Sequence, residues 1–228
     1  RPLDDDTRRL IGYMPEERGL YGKEKILDQL IFLAKLHGVD GAAAKKRGTD
    51  LLEELGLGER LGDKLDDLSL GNQQRVQLAA SLIHDPEVLI LDEPFSGLDP
   101  VAVDVMSTML TDRTRAGVPV IFSSHQLDLV QRLCDRIGIV TRGRMVAEGT
   151  VDELRAGGPV QFRVGTQARG WIPACATLID DTPTHVTVET DSTDNDQAIL
   201  KAAMAAGPVH EFTRVVPDLA ELFKEVVK

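Results

Sequence analysis

The spacing of apolar residues changes character near residue 86. Before it, apolar positions recur at helical intervals: Ile26, Leu27, Leu30, Ile31, Leu33, Ala34 and Leu36 predict a helix over 25–37 that ends at Gly38. A second helix is predicted over 42–55, stopped by Gly56, and a third over 72–83, with Pro86 marking its exit. A short strand-like stretch at 10–14 precedes all three. After residue 86 short apolar runs alternate with helical stretches, in the order 88–91, 101–116, 118–123, 127–134 and 137–141. Strands alternating with helices predict an α/β sheet buried on both faces. Ligands of such sheets sit at the carboxyl ends of the strands. Two of these ends run directly into Asp92-Glu93 and Ser123-Ser124-His125.

Further on, Arg142-Gly143 reads as a tight turn into 144–147, and 150–155 as a short capped helix. The stretch Ala156-Gly157-Gly158-Pro159 is the best domain boundary, so domains are expected over 1–156 and 157–228. The second holds strand-like segments at 160–164, 185–190 and 209–215, and helical ones at 197–205 and 218–227, which predicts a small α+β domain.

A chain of 228 residues can bury a substantial core. Its formal charge of −11, with 37 acidic residues spread along it, argues against nucleic acid as a partner. Cys134 and Cys175 fit neither a disulfide framework nor a zinc spacing and read as small buried hydrophobes suited to a reducing cytosol. The apolar runs are too short to cross a bilayer, so service to a membrane is expected from its cytoplasmic inner face.

Candidate chemistry lies in three places. Residues 88–94, Val-Leu-Ile-Leu-Asp-Glu-Pro, form an apolar strand delivering two carboxylates. A metal ion with an attacking water would satisfy them: Asp92 holding Mg²⁺, Glu93 polarising the water. An ordinary acidic turn is the other reading. Residues 68–75, Leu-Ser-Leu-Gly-Asn-Gln-Gln-Arg, place a hydroxyl and a glycine at a helix start. They read either as a phosphate site or as a plain N-cap by Ser69. His125 ends the strand at 118–123, as a ligand contact or as a structural histidine.

Taken together, these motifs resemble the ABC ATPases. Residues 68–75 are similar to the signature L-S-G-G-Q-Q-Q-R, departing at Leu70 and Asn72; 89–94 resembles a Walker B strand with its catalytic glutamate; Ser96-Gly97-Leu98-Asp99-Pro100 resembles the D-loop; and His125 the switch histidine. Residues 11–21 resemble the Q-loop, with Glu16 in place of glutamine. The resemblance implies a partial P-loop NTPase sheet with a helical subdomain, ATP and Mg²⁺ as ligands, and a dimer that sandwiches ATP. Ser69 and Gly71, with Asn72 and Gln73, would then bind nucleotide in trans, Asp92 and Glu16 would hold Mg²⁺, Glu93 and His125 would be catalytic, and Asp99 would communicate across the dimer. The 157–228 segment resembles the small C-terminal domain of export ATPases, which implies an ATP-hydrolysing transport subunit partnered by a second ATPase subunit and membrane-spanning permease subunits.

No G-x-x-x-x-G-K-S/T phosphate loop occurs in the chain; Gly19-Leu20-Tyr21-Gly22-Lys23 is too short and is followed by Glu24. N-terminal truncation is the expected reason, and the chain is expected to be inactive alone. The alternatives are a soluble, non-transport ABC ATPase and a non-catalytic subunit supplying only a signature face.

Overall fold

A computed structural model describes residues 4–17, 19–156 and 160–215, and they divide into two compact units, Arg1–Gln126 and Leu127–Lys228. The division falls ahead of the 156–159 stretch, of which 157–159 lie outside the described residues, as does the helix expected at 218–227.

The first unit opens with a short helix α1 (Asp5–Arg9) and strand β1 (Ile11–Met14), followed by helices α2 (Ile26–Leu36), α3 (Gly41–Glu54) and α4 (Leu70–Leu82). Strand β2 (Val88–Leu91), helix α5 (Pro100–Arg115) and strand β3 (Val120–Phe122) complete it. The predicted helices of this unit form within two residues of their expected bounds, with caps and breakers at their ends. Asp40 accepts from the amides of Ala42 and Ala43 to start α3, Gly56 ends it at a φ of 73°, and Asp99 accepts from Ala102 to start α5. Helices α2, α3 and α4 pack on one another through Leu30, Ala34, Leu51, Leu52, Val76 and Ile83, all essentially buried.

Strands β1, β2 and β3 pair in parallel, in that order, with Met14, Leu91 and Phe122 in one cross-strand row. The row with Gly12, Leu89 and Val120 shows why a glycine stands in β1. A Cβ at Gly12 would lie 2.3 Å from the Ser81 carbonyl oxygen of α4 and 2.6 Å from Leu89 Cδ2. Burial on both faces, expected from the apolar runs, holds for one face only among the described residues. Tyr13, Ile90 and Ile121 share a row on the opposite face and are 57, 36 and 61% exposed.

The second unit begins with α6 (Leu127–Leu133) and the strands β4 (Ile137–Thr141) and β5 (Arg144–Gly149). These two strands pair antiparallel as their own sheet. The turn explains it: Arg142 and Gly143 both adopt positive φ, 49 and 75°, the conformation of a two-residue hairpin that sends the chain back on itself. Helix α7 (Val151–Ala156) starts on a reciprocal cap, Thr150 N–H to Glu153 Oε2 at 2.8 Å and Glu153 N–H to Thr150 Oγ1 at 3.1 Å. Then come β6 (Val160–Gly165), β7 (Thr177–Asp181), β8 (Val186–Thr190), helix α8 (Asp196–Ala206) and β9 (Glu211–Val215). The four strands form an antiparallel sheet, order β7-β8-β6-β9, and Phe162, Val164, Val188 and Trp171 cluster with Ile199 and Ala203 of α8.

His84, just after α4, ties that helix to β1. Its Nε2 lies 3.2 Å from the Ile11 carbonyl oxygen, its ring stacks on His37 at 3.9 Å, and its Nδ1 is buried without a partner. Since a carbonyl only accepts, Nε2 carries the proton and charging the ring means protonating the buried Nδ1. Burial first, then the His37 and Arg47 charges, hold the His84 pKa below its ordinary 6.5, against the opposing pull of the Ile11 carbonyl and Asp85. Folding thus favours the neutral ring, and just below pH 6.5 the unfolded chain binds more protons.

Two outcomes follow from this packing. Gly12→Ala should cost about 1–3 kcal/mol by forcing β1 away from α4, read as a lower urea midpoint; an unchanged midpoint would mean that the two elements separate freely. The His84 contribution to stability is complete above pH 6.5 and is lost as pH falls through 6.5 toward the lowered folded value, so His84→Gln should flatten the pH dependence of the midpoint in that window. An identical slope in wild type and variant would contradict the assignment.

Candidate functional site

The carboxyl ends of β1, β2 and β3 lie side by side, in the row Met14, Leu91, Phe122, so the residues that leave them gather at one edge. Backbone bonds continue the register past the strands: Asp92 N–H to Met14 O at 2.8 Å and Ser123 N–H to Leu91 O at 3.0 Å. The chain then turns sharply at Glu93, whose φ of 46° puts a non-glycine residue in the left-handed region.

Ser123 holds that corner. Its hydroxyl donates to Asp92 Oδ1 at 2.5 Å and accepts from the Glu93 N–H at 3.0 Å, so one side chain of β3's exit fixes both acidic residues of β2's exit. The Glu93 carbonyl receives Ser96 N–H at 3.1 Å and Gln74 Nε2 of α4 at 3.4 Å. Behind the corner Phe95 is buried edge-on against Phe122, ring centroids 5.6 Å apart, and its carbonyl receives Gln126 Nε2 at 3.4 Å.

With its backbone pinned, the Glu93 side chain is only 17% exposed, while that of His125 is 71% exposed. His125 Nδ1 approaches Glu93 Oε2 to 2.9 Å without hydrogen-bond alignment, so Oε2 is buried and lacks a donor. A buried carboxylate oxygen in that condition has acceptor capacity that no donor among the described residues uses. The predicted pair Glu93 and His125 is therefore in contact, with Asp92 beside it.

Ser69, Gly71 and Asp99 belong to a second group. Ser69 caps α4, its hydroxyl accepting from Asn72 N–H at a long 3.4 Å, and Asp99 Oδ1 caps α5 through Ala102 N–H at 2.8 Å. The two helix starts meet: a Cβ at Gly97 would lie 3.1 Å from Leu70 Cδ2, and one at Gly71 would lie 3.5 Å from Leu98 Cδ2 and 3.9 Å from Ala102 Cβ. Those Gly71 distances are ordinary contacts, so nothing among the described residues requires glycine there. Gln73 Nε2 donates to the carbonyls of Leu65 and Leu68, each at 3.0 Å, and so shapes the turn ahead of the helix.

Glu16 is exposed, two residues beyond Met14. Its loop is fastened by glutamines from two helices: Gln77 Nε2 of α4 donates to Pro15 O at 2.6 Å, and Gln29 of α2 accepts from Tyr21 N–H at 2.7 Å and donates to Tyr21 O at 2.9 Å. Among the described residues no three His, Cys, Asp or Glu side chains gather into a metal cage. Magnesium does not need one, since it is commonly held by one or two carboxylates together with water and phosphate oxygens, and Asp92 fits that demand. Gln77 lies outside every motif and Gln74, within the 68–75 motif, carries no expected role; the signal for Ser123 is its place with Ser124 and His125 at a strand's carboxyl end.

The corner yields a direct check. Ser123→Ala removes a hydroxyl that serves two backbone-fixed partners and should lower stability by about 1–2 kcal/mol in urea unfolding. No change would show that the Glu93 turn holds itself.

Comparison with known proteins extends the geometry. A family model described as ABC transporter matches residues 2–96, and one described as the C-terminal domain of ATP-binding protein DrrA1-3-like matches 149–227. The chain is 41% identical over 155 residues to the uncharacterized ABC transporter ATP-binding protein YhaQ of Bacillus subtilis, covering 68% of this chain and 52% of YhaQ, about half its length. It is 32% identical over 230 residues to the linearmycin resistance ATP-binding protein LnrL of the same organism, covering 95% of this chain and 74% of LnrL. A solved structure of the ATP binding subunit of an ABC transporter aligns with a TM-score of 0.60 at 32% identity, over 65% of this chain and 62% of that one.

Proposed function

The chain belongs to the ABC transporter ATP-binding proteins, and on that premise we propose that it is the ATP-hydrolysing subunit of an export-type transporter. In this reading residues 1–156 carry the ATPase chemistry, 157–228 form an accessory domain, and two subunits close on ATP while permease subunits span the membrane. Among the described residues no helix is long and apolar enough to cross a membrane. We place the subunit on the inner face, where it meets ATP and its permease. The likeness of LnrL, a resistance protein by name, and of the DrrA-like C-terminal domain supports export as the direction.

The observation that carries the proposal is the Glu93 side chain, held by a left-handed backbone and leaving one buried oxygen without a donor beside His125. A water held at the Glu93 carboxylate would give its proton to Glu93 as its oxygen bonds to the γ-phosphorus and the bond to the departing ADP breaks, and His125 would hydrogen-bond the γ-phosphate. Asp92, steadied by Ser123, would hold Mg²⁺, with Glu16 contributing from the neighbouring loop. Bound Mg²⁺ supplies neutralisation of phosphate charge. Ser69, Gly71, Asn72 and Gln73 would meet the nucleotide of the opposing subunit at the N-terminus of α4. Asp99, which caps α5 where its start meets that of α4, would pass the state of one site to the other.

A second reading has one observation in its favour: the 228 residues contain no G-x-x-x-x-G-K-S/T loop. By themselves they would grip phosphate poorly and offer another subunit a signature face only.

The two readings separate on turnover. With a phosphate-loop segment supplied, Mg²⁺-dependent phosphate release is expected, and Glu93→Gln should lower kcat roughly a hundredfold or more, as loss of a general base does. Unimpaired release by that variant would remove Glu93 from its role.

A further inference from the structure

A buried glutamine amide is costly unless its N–H groups find acceptors, so the partners it takes are informative. Helix α4, 13 residues long, carries two such side chains, Gln74 and Gln77, both almost wholly buried. They are three residues apart and share a face. Neither serves α4 itself. Gln77 Nε2 donates to Pro15 O at 2.6 Å and Glu17 O at 3.4 Å, the carbonyls on either side of Glu16. Gln74 Nε2 donates to the carbonyl of Glu93 at 3.4 Å. One helix face therefore holds the two loops that carry the acidic residues of the hydrolytic corner, and the same helix starts at Ser69 and Gly71.

We infer that Gln77, with Gln74, is a positioning residue that couples the signature end of α4 to the Glu16 and Glu93 loops of its own subunit. The inference rests on the proposed function and deepens it. A helix moves as a rigid rod, so a nucleotide of the opposing subunit that draws its N-terminus also displaces the two amides one to two turns along it. Those amides carry the Pro15, Glu17 and Glu93 carbonyls with them. Hydrolysis in one site thereby becomes sensitive to occupancy of the other, through backbone hydrogen bonds and without a charge moving. A hydrocarbon side chain of the same length would fill the same volume, so packing alone does not account for amides aimed at two separate loops.

The test uses Gln77→Met, close to the wild-type shape but without donors. In the 228-residue chain, amide hydrogen exchange at Glu16 and Glu17 should quicken; unchanged exchange there would overturn the inference. With a phosphate-loop segment supplied, kcat should fall about tenfold, the equivalent of one buried hydrogen bond, with KM for ATP held within about twofold. A kcat equal to wild type, or a loss confined to KM, would also overturn it. Should Gln77→Met not fold, Gln77→Glu decides: its protonated carboxyl can donate to Pro15 O, so its kcat should fall relative to wild type as pH rises and the donor is lost, whereas a parallel profile would refute the coupling. Glu93→Gln run alongside keeps the two ideas apart, since full turnover in that control sinks the proposed function, and an inactive control beside a normal Gln77→Met sinks the coupling alone.

Discussion

At the end of β2 the backbone enters the left-handed region on a glutamate, a conformation that costs a residue with a Cβ on the order of 1–3 kcal/mol and persists only when its surroundings over-determine it. The surroundings here are specific. Ser123 of the neighbouring strand exit binds the Glu93 amide and the Asp92 carboxylate together, Ser96 and Gln74 bind the Glu93 carbonyl, and buried Phe95 anchors the next residue but one. That turn is what aims the Glu93 carboxylate toward His125 and seals one of its oxygens from solvent. Strand register, the packing of α4 and the chemistry of the corner all meet in it.

Helix α4 has a comparable standing on the other side of the corner. Its first turn presents Ser69 and Gly71, its middle holds both acidic loops through buried amides, and its far end packs against Gly12 and leads to His84, which grips β1. A single rigid element thus touches each strand-end loop of the first sheet except that of β3. Substitutions along it should be judged by which loop they release and not by helix stability alone.

Much of this was legible in the chain. Breakers such as Gly38, Gly56 and Pro86 fixed the helices of the first unit closely, and the abrupt step from Val88–Leu91 into two acids marked the corner before any fold was known. What escaped depends on which distant residues pair. Strand β7, Thr177–Asp181, has only two apolar residues and is exposed throughout; it exists through its pairing with β8, which no local pattern reports. Strand β4 was expected to continue the alternating sheet of the first unit, yet the tight turn read at Arg142-Gly143 closes it with β5 into a two-stranded sheet of their own. Ser123 and Gln77 are ordinary polar residues whose partners lie 31 and 62 positions away, so their roles appear only once β2 lies beside β3 and α4 beside β1.

The most direct measurement is a crystal structure of the chain with a phosphate-loop segment supplied, carrying Glu93→Gln and trapped with Mg²⁺ and ATP. The γ-phosphate should lie within hydrogen-bonding reach of His125 from the subunit that holds it and of Ser69 from the opposing copy, with a water between residue 93 and the phosphorus. Nucleotide bound away from these strand ends, or a Ser69 that faces only its own helix while ATP is enclosed, would contradict the assignment of this corner as the hydrolytic site.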